Sequence, residues 1–205
     1  MTVDTRLPLF VLPLAAVPGE ELPLHVFEPR YRELAQHCLT GDDEFGVLMT
    51  DEAGARDVGC AARIDRVARR YDDGRLDLIT RATRRFELAG EIEDDPYPVA
   101  AVRWIEDQPA AAGDADPKPS LALFGELATR VTGTVPGLDV DDETSFRIAA
   151  RVAFGGAAKQ GLIELRSEAQ RLDLLERLLR AALARLAQVE LRQARARSNG
   201  KVHFE

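Results

Sequence analysis

The stretch Glu21-Leu22-Pro23-Leu24-His25-Val26-Phe27-Glu28-Pro29-Arg30-Tyr31-Arg32 changes its period part-way along. Glu21 to Phe27 is a short apolar run of the kind that forms a strand. Pro29 then stands where a first helical residue tolerates the loss of its N–H, and Tyr31, Leu34, Ala35 and Cys38 recur at helical spacing until Gly41 breaks the pattern. That spacing turns Cys38 inward and His37 outward. Upstream, Leu7 to Leu12 is another apolar run, set apart by the turn dipeptide Pro18-Gly19. One helix is thus framed by strands.

More strands follow. Glu44 to Thr50, Val58 to Tyr71, Arg75 to Thr80, Arg85 to Ile92 and Val99 to Ile105 are all β-rich. Asp72-Asp73-Gly74 is a strong hairpin signal, because Asp-Gly readily takes the positive φ angles of a two-residue turn. A single helix among about seven short strands points to a closed or half-closed antiparallel sheet rather than repeated βαβ units. From Asp107 to Pro119 three prolines, one glycine and no large apolar residue mark a linker. Beyond it the period is helical. Ser120 is placed to cap a helix running to about Val131, Gly133 to Asp142 reads as an acidic loop, and Thr144 caps a helix stopped by Gly155-Gly156. A short helix spans Lys159 to Leu165. The last and longest opens on the capping-box pattern Ser167-Glu168-Ala169-Gln170 and carries Leu172, Leu175, Leu179, Ala182, Leu186 and Val189 as a stripe that narrows towards its end. Its tail, with Arg192, Arg195, Arg197 and Lys201, reads as a solvated helix end. The expected fold class is α+β: an antiparallel β-barrel-like N-terminal part over residues 1–107, a linker over 108–119 and a helical bundle over 120–205.

Composition narrows the function. The chain has 205 residues, 45% of them hydrophobic and 30% charged, which is ordinary for a globular protein. Its formal net charge of -8 repels a phosphate backbone, so nucleic acid is a disfavoured partner. Two cysteines, Cys38 and Cys60, are too few for a disulfide framework and fit a reducing cytoplasm. The apolar segment Leu7 to Val17 is too short for a bilayer, which takes about 20 residues, and prolines interrupt it. It reads as a buried strand rather than a leader, and no membrane association is expected.

Catalytic patterns are missing. Gly200-Lys201 lacks the glycine and hydroxyl residue of a phosphate-binding loop, and Gly155-Gly156 follows a helix rather than a strand. The three histidines, His25, His37 and His203, have no metal-ligand spacing. His25 is read as a hydrogen-bonded packing residue. A Cys–His dyad from Cys38 or Cys60 with His25 is conceivable, but neither thiol has a local feature that would lower its pKa. No cofactor, metal or catalytic residue is assigned.

Leu7-Pro8-Leu9-Phe10-Val11-Leu12-Pro13, Pro18-Gly19, the quoted Leu22 to Arg32 stretch and Phe45-Gly46-Val47 together resemble the amino-terminal substrate-recognition domain of Lon-type ATP-dependent proteases. Val58-Gly59, Asp73-Gly74-Arg75, Arg85-Phe86, Lys159-Gln160 ahead of Leu162-Ile163-Glu164, and Arg171-Leu172 agree in order, so the resemblance covers nearly the whole chain. Departures are Ala82, where the family tends to have Gly, and Gly59-Cys60 in place of Gly-Thr. Full-length Lon continues into ATPase and peptidase modules, whereas this chain ends at Glu205 and looks like a stand-alone N-domain protein.

The resemblance implies a barrel of the pseudouridine-synthase-and-archaeosine-transglycosylase (PUA-like) type followed by helices. It implies a non-enzymatic module that binds unfolded or degron-bearing polypeptides, an adaptor or modulator in protein quality control, with a protease or chaperone as further partner. The alternatives are an RNA-binding PUA-like module and a small cysteine-dependent hydrolase. The family motif His25, Phe27, Glu28, Pro29, Arg30 and Tyr31 is expected to be structural: Phe27 and Tyr31 pack, Pro29 starts the helix, and Glu28 with Arg30 ties sheet to helix. The chain is expected to be a monomer or a weak homodimer.

Overall fold

The computed structural model describes residues 5–41, 43–94, 96–108, 115–134, 137–138 and 144–199. The middle of the expected linker, most of the expected acidic loop, and Gly200, Lys201 and His203 lie outside the described residues.

The first half is a strand sheet with one helix: β1 (Thr5–Leu12), β2 (Glu21–Val26), α1 (Pro29–Gly41), β3 (Phe45–Asp51), β4 (Gly54–Ala55), β5 (Val58–Arg70), β6 (Leu76–Leu88), β7 (Glu93–Asp94) and β8 (Pro98–Trp104). Strand pairing runs β6-β5-β3-β1-β8, and β8 returns to β6 with Phe86 opposite Trp104, so the sheet closes on itself. β2 lies beside the other half of β6, outside that ring. One pairing departs from the expected antiparallel pattern: β1 and β3 run parallel, with Leu9 opposite Gly46 and Leu12 opposite Met49, and the sheet is mixed. The connection through β2 and α1 supplies the long crossover that parallel neighbours require.

Alternation explains how the strands bury one face. Leu22, Leu24 and Val26 of β2 enter the core while Glu21, Pro23 and His25 face out. α1 stoppers the barrel with Tyr31, Leu34, Ala35 and Cys38, as its spacing predicts, packed among Phe10, Phe45 and Leu78. Phe86 lies against two glycines: a Cβ on Gly46 or Gly59 would come within 2.7 or 2.4 Å of its ring. The motif positions Phe45-Gly46 and Val58-Gly59 thus make room for one buried aromatic ring.

The two expected strands Arg75–Thr80 and Arg85–Ile92 are one continuous β6, because the polar stretch between them contains no glycine or proline to break it. The Asp73-Gly74 turn is present, with Gly74 at φ 86°.

Helices cover one side of the barrel: α2 (Lys118–Thr132), α3 (Thr144–Ala149), α4 (Gly156–Glu164) and α5 (Glu168–Asn199). Their boundaries differ from expectation in two places. Ser120 is buried inside α2, which starts after Pro117. Gly155 does not stop a helix; α3 has already ended, and Gly155 is the extended residue that begins α4. At the start of α5 the Gln170 N–H donates to Ser167 Oγ at 3.3 Å, as a capping residue should accept it.

Val17, Val58 and Ile105 of the barrel share one apolar cluster with Phe146, Ile148, Leu162, Ile163, Leu175 and Leu179 of the helices. Beside it runs a charged seam. Arg171 of α5 donates to Asp107 Oδ1 at 2.7 Å and to Glu168 Oε2 at 2.8 Å, and Arg85 of β6 reaches the same Asp107 as well as the carbonyl of Ile163 at 3.0 Å. Ser145 of α3 gives its backbone N–H to Glu168 at 2.8 Å. The Arg171 side chain is 0% exposed, so its charge and its N–H donors must be met by protein. Lys159 of α4 pairs with Glu20 as a second tie. Burial pushes the Glu168 carboxyl up despite its bonds to Ser145 and Arg171. At Asp107 burial acts upward too, but the hydrogen bond and charge of Arg171, with Arg85, outweigh it and hold the carboxyl below its ordinary value.

Candidate functional site

Beyond Val26 the backbone leaves β2, and Phe27 turns outwards. It is 59% exposed, against the packed position expected of it. An apolar residue at a strand end has no strand neighbour on its outer side, and here the core is already closed by Val26 and Tyr31. His25, on the outer face of β2, stacks on Phe27 with ring centroids 6.0 Å apart and meets the edge of Tyr71 at 5.9 Å. The result is an aromatic strip, Phe27-His25-Tyr71, exposed at Phe27 and His25 and half-buried at Tyr71.

Asp77 fixes that strip. It sits directly across from His25 in the β2–β6 pairing, takes a hydrogen bond from His25 Nδ1 at 2.6 Å on one oxygen, and accepts the Tyr71 hydroxyl at 2.8 Å on the other. The His25 bond, then the Tyr71 bond, hold the Asp77 carboxyl below its ordinary value. The same bond to Asp77 raises the Tyr71 hydroxyl. Tyr71 also carries two guanidiniums, Arg69 at 4.6 Å and Arg75 at 4.8 Å from its ring centroid. His25 is therefore hydrogen-bonded as expected, but on the surface rather than packed inside.

The strip leads into a cleft of about 410 Å³ between α1 and the outer end of the β5–β6 hairpin. Pro29, Arg32, Glu33 and Gln36 form one wall, and Arg70, Tyr71, Gly74 and Leu76 the other. Arg32 bridges the walls by donating Nη1 to the Asp73 carbonyl at 2.8 Å, while its Nε is buried without a partner. A Cβ on Gly74 would come within 2.7 Å of that Nη1, so the glycine serves both the turn and the bridge.

The family motif accordingly divides. Tyr31 is buried and donates its hydroxyl to the Val11 carbonyl at 3.0 Å; Pro29 begins α1. Glu28 pairs with Arg30 at 3.2 Å, and Arg30 reaches Asp94 of β7 at 3.2 Å, joining helix to sheet. His25 and Phe27 instead face solvent beside the cleft. Sequence reasoning missed Tyr71, Asp77 and Arg32; the hairpin signal at Asp73-Gly74 located the wall but not what it would face.

The remaining candidates lie elsewhere. Cys38 and Cys60 are buried, and burial raises both thiols, that of Cys38 to about 12. Such thiols do not ionise near neutral pH. Among the described residues no group of His, Cys, Asp and Glu is placed to hold a metal ion, and no helix is long and apolar enough to cross a membrane.

Comparison with known proteins adds to this geometry. Residues 6–181 match the family model described as the ATP-dependent protease La (LON) substrate-binding domain. The fold is similar to the crystal structure of a Lon N-terminal domain protein from Xanthomonas campestris, with a TM-score of 0.64 and 27% identity, covering 83% of this chain and 96% of that one. The N-terminal domain of Mycobacterium avium complex Lon protease has the same fold at 18% identity and a TM-score of 0.59, covering 85% of this chain and 98% of that one. Lon protease of Methylocella silvestris is 25% identical over 198 residues, 87% of this chain and 24% of that protein. The chain spans between 18% and 24% of the length of the curated Lon proteases it matches.

Proposed function

The chain belongs to the Lon substrate-binding domain family, and on that premise we propose that it is a non-enzymatic module that binds polypeptide segments at the Phe27-His25-Tyr71 strip and the adjoining cleft, acting as an adaptor or modulator in cytoplasmic protein quality control. The observation that carries the reading is the exposed strip itself. Aromatic side chains wholly or half exposed beside a concave surface offer large apolar contact at low entropic cost to a bound chain. Strand addition is a weaker route. β2 pairs with β6 on one side, and its outer edge holds Pro23, which has no N–H to offer an incoming strand. The raised thiols of Cys38 and Cys60 speak against a cysteine nucleophile.

Fluorescence anisotropy with a labelled, permanently unfolded polypeptide tests the reading. The wild-type chain should bind, and Phe27→Ala combined with Tyr71→Ala should weaken binding by about a hundredfold. Equal binding by the double variant would remove the strip as the site. No binding at all, or cleavage of the probe by the purified chain, would remove the function.

A further inference from the structure

We propose that the open end of the α2–α5 pair is a docking site for an amphipathic helix with acidic residues along one flank. This site is separate from the aromatic strip, which belongs to the barrel. α2 and α5 run side by side in the same direction: Ser120, near the start of α2, donates to the Leu172 carbonyl at 3.5 Å, and Arg130, near its end, pairs with Glu190. Each helix carries an apolar stripe at helical spacing, Phe124, Leu127 and Val131 on α2 and Leu179, Leu186 and Val189 on α5. The apolar cluster shared with the barrel takes in these stripes only as far as Leu127 and Leu179. Beyond it Leu186 is half-buried, and Val131 and Val189 are 64% and 42% exposed. Two stripes that outrun their core side by side make a patch rather than scattered single side chains.

Charge identifies the occupant. From Arg177 to Arg195, α5 holds five arginines and one glutamate in a chain of formal charge -8. With Arg130 of α2 these are six arginines, against four acids at the same end of the pair: Glu126, Asp173, Glu176 and Glu190. The acids of residues 139–143 belong to the other end, where the chain enters α3 and Ser145 bonds Glu168, about 25 Å along α5 from Arg185. Arg185 and Arg192 are exposed and, among the described residues, in no ion pair. Seven residues separate them, about 10 Å along one side of α5, and the advance of about 100° per residue sets Leu186 and Val189 between them and the Glu190 side that α2 occupies. The patch is thus bounded by α2 on one side and by an arginine edge on the other. A helix that buries its own apolar stripe there brings carboxylates one heptad apart onto that edge. Lysines would meet like charge. A second copy of the chain fits less well, because its own patch carries the same arginines.

Anisotropy on the full chain decides it, with labelled helical peptides of about four turns that share a leucine stripe and carry Glu, Gln or Lys along one flank; a fourth has the Glu flank and a central proline. The Glu peptide should bind about fivefold tighter than the Gln peptide in low salt, the Lys peptide weakest, and the gap should close in high salt. Arg185→Glu with Arg192→Glu should reverse the order of the Glu and Lys peptides, and Val131→Ser with Val189→Ser should weaken all three by about tenfold. All four positions are exposed, so unchanged melting curves will verify the fold. Equal affinity for the Glu and Lys peptides, or undiminished binding of the proline peptide, would overturn the proposal. So would loss of the Glu peptide in Phe27→Ala with Tyr71→Ala, which would place it on the strip, or a dimer in sedimentation equilibrium that dissociates in the serine variant, which would make a second copy the occupant. Silence from every peptide would overturn the proposal and leave the reading of the strip standing.

Discussion

Arg171 and Arg69 each lay a guanidinium over an aromatic ring, Phe146 at 4.4 Å and Tyr71 at 4.6 Å, in surroundings that give the same contact different consequences. Arg171 is wholly buried at the seam between barrel and helices, and its charge is met by Asp107 and Glu168, the latter 9% exposed. Arg69 is in water on the hairpin, across the β5–β6 pairing from Asp77, whose carboxyl it helps to lower without forming an ion pair. Burial makes the first arrangement obligatory, since an uncompensated charge there is strongly unfavourable, so it fixes one packing of helices on barrel. Exposure leaves the second free to exchange water for a ligand. The seam serves the fold, and the strip is the surface we propose for recognition.

The sharpest way to break this contrast is Arg171→Ala. It leaves Asp107 and Glu168 without their shared partner and should destabilise the chain by about 3 to 5 kcal/mol, read from urea midpoints. Peptide affinity of the fraction still folded should not change. A loss under 1 kcal/mol, by the same measurement, would mean that the seam is as dispensable as a surface pair.

Asp107→Asn sharpens the same side through pH. The Asp107 pKa is depressed in the folded state, so its contribution is full above the ordinary aspartate value near 3.9 and fades as pH falls through the lower folded value. The variant should be less stable by about 1 to 3 kcal/mol at neutral pH, and the two stability curves should converge in acid. Parallel curves would assign the loss to packing rather than to charge.

How far these regions were legible from sequence follows from the range of the forces. The strand-to-helix switch at Pro29, the inward Cys38, the Asp73-Gly74 turn and the Ser167 start of α5 were readable, because each is set by neighbours within a turn or two. The parallel β1–β3 pair was not, since alternation tells which face is buried and not which strand lies alongside. Nor was the seam: Arg85, Asp107 and Arg171 are far apart in the chain, and nothing local marks an arginine as buried. Gly155 shows the reverse difficulty, one residue type suiting both a helix end and a helix start. The strip was half visible. His25 and Phe27 stood in the motif, but a strand-end phenylalanine carries no sign of which way it turns, and Tyr71 and Asp77 reach it only through the β2–β6 register.

On the recognition side, Phe27→Ala removes an exposed ring that stacks on the surface imidazole of His25 rather than on the core. Its effect on stability should stay within about 0.5 kcal/mol, while peptide affinity falls by about tenfold. A melting-point drop of several degrees would instead show that the ring packs in solution, returning the motif to a structural role.

The smallest expected effect is the most discriminating within the strip. Tyr71→Phe keeps the ring and its guanidinium neighbours but deletes the hydroxyl that donates to Asp77 at 2.8 Å. Asp77 retains its bond to His25 at 2.6 Å, so the strip should hold its shape and affinity for an aromatic peptide should change by no more than about twofold. Tyr71→Ala, which removes the ring itself, should weaken binding far more. If the two variants bind equally poorly, the hydroxyl and its anchor on Asp77 matter more than the aromatic face, and recognition by stacking gives way to recognition by a hydrogen-bonded Asp77 pair.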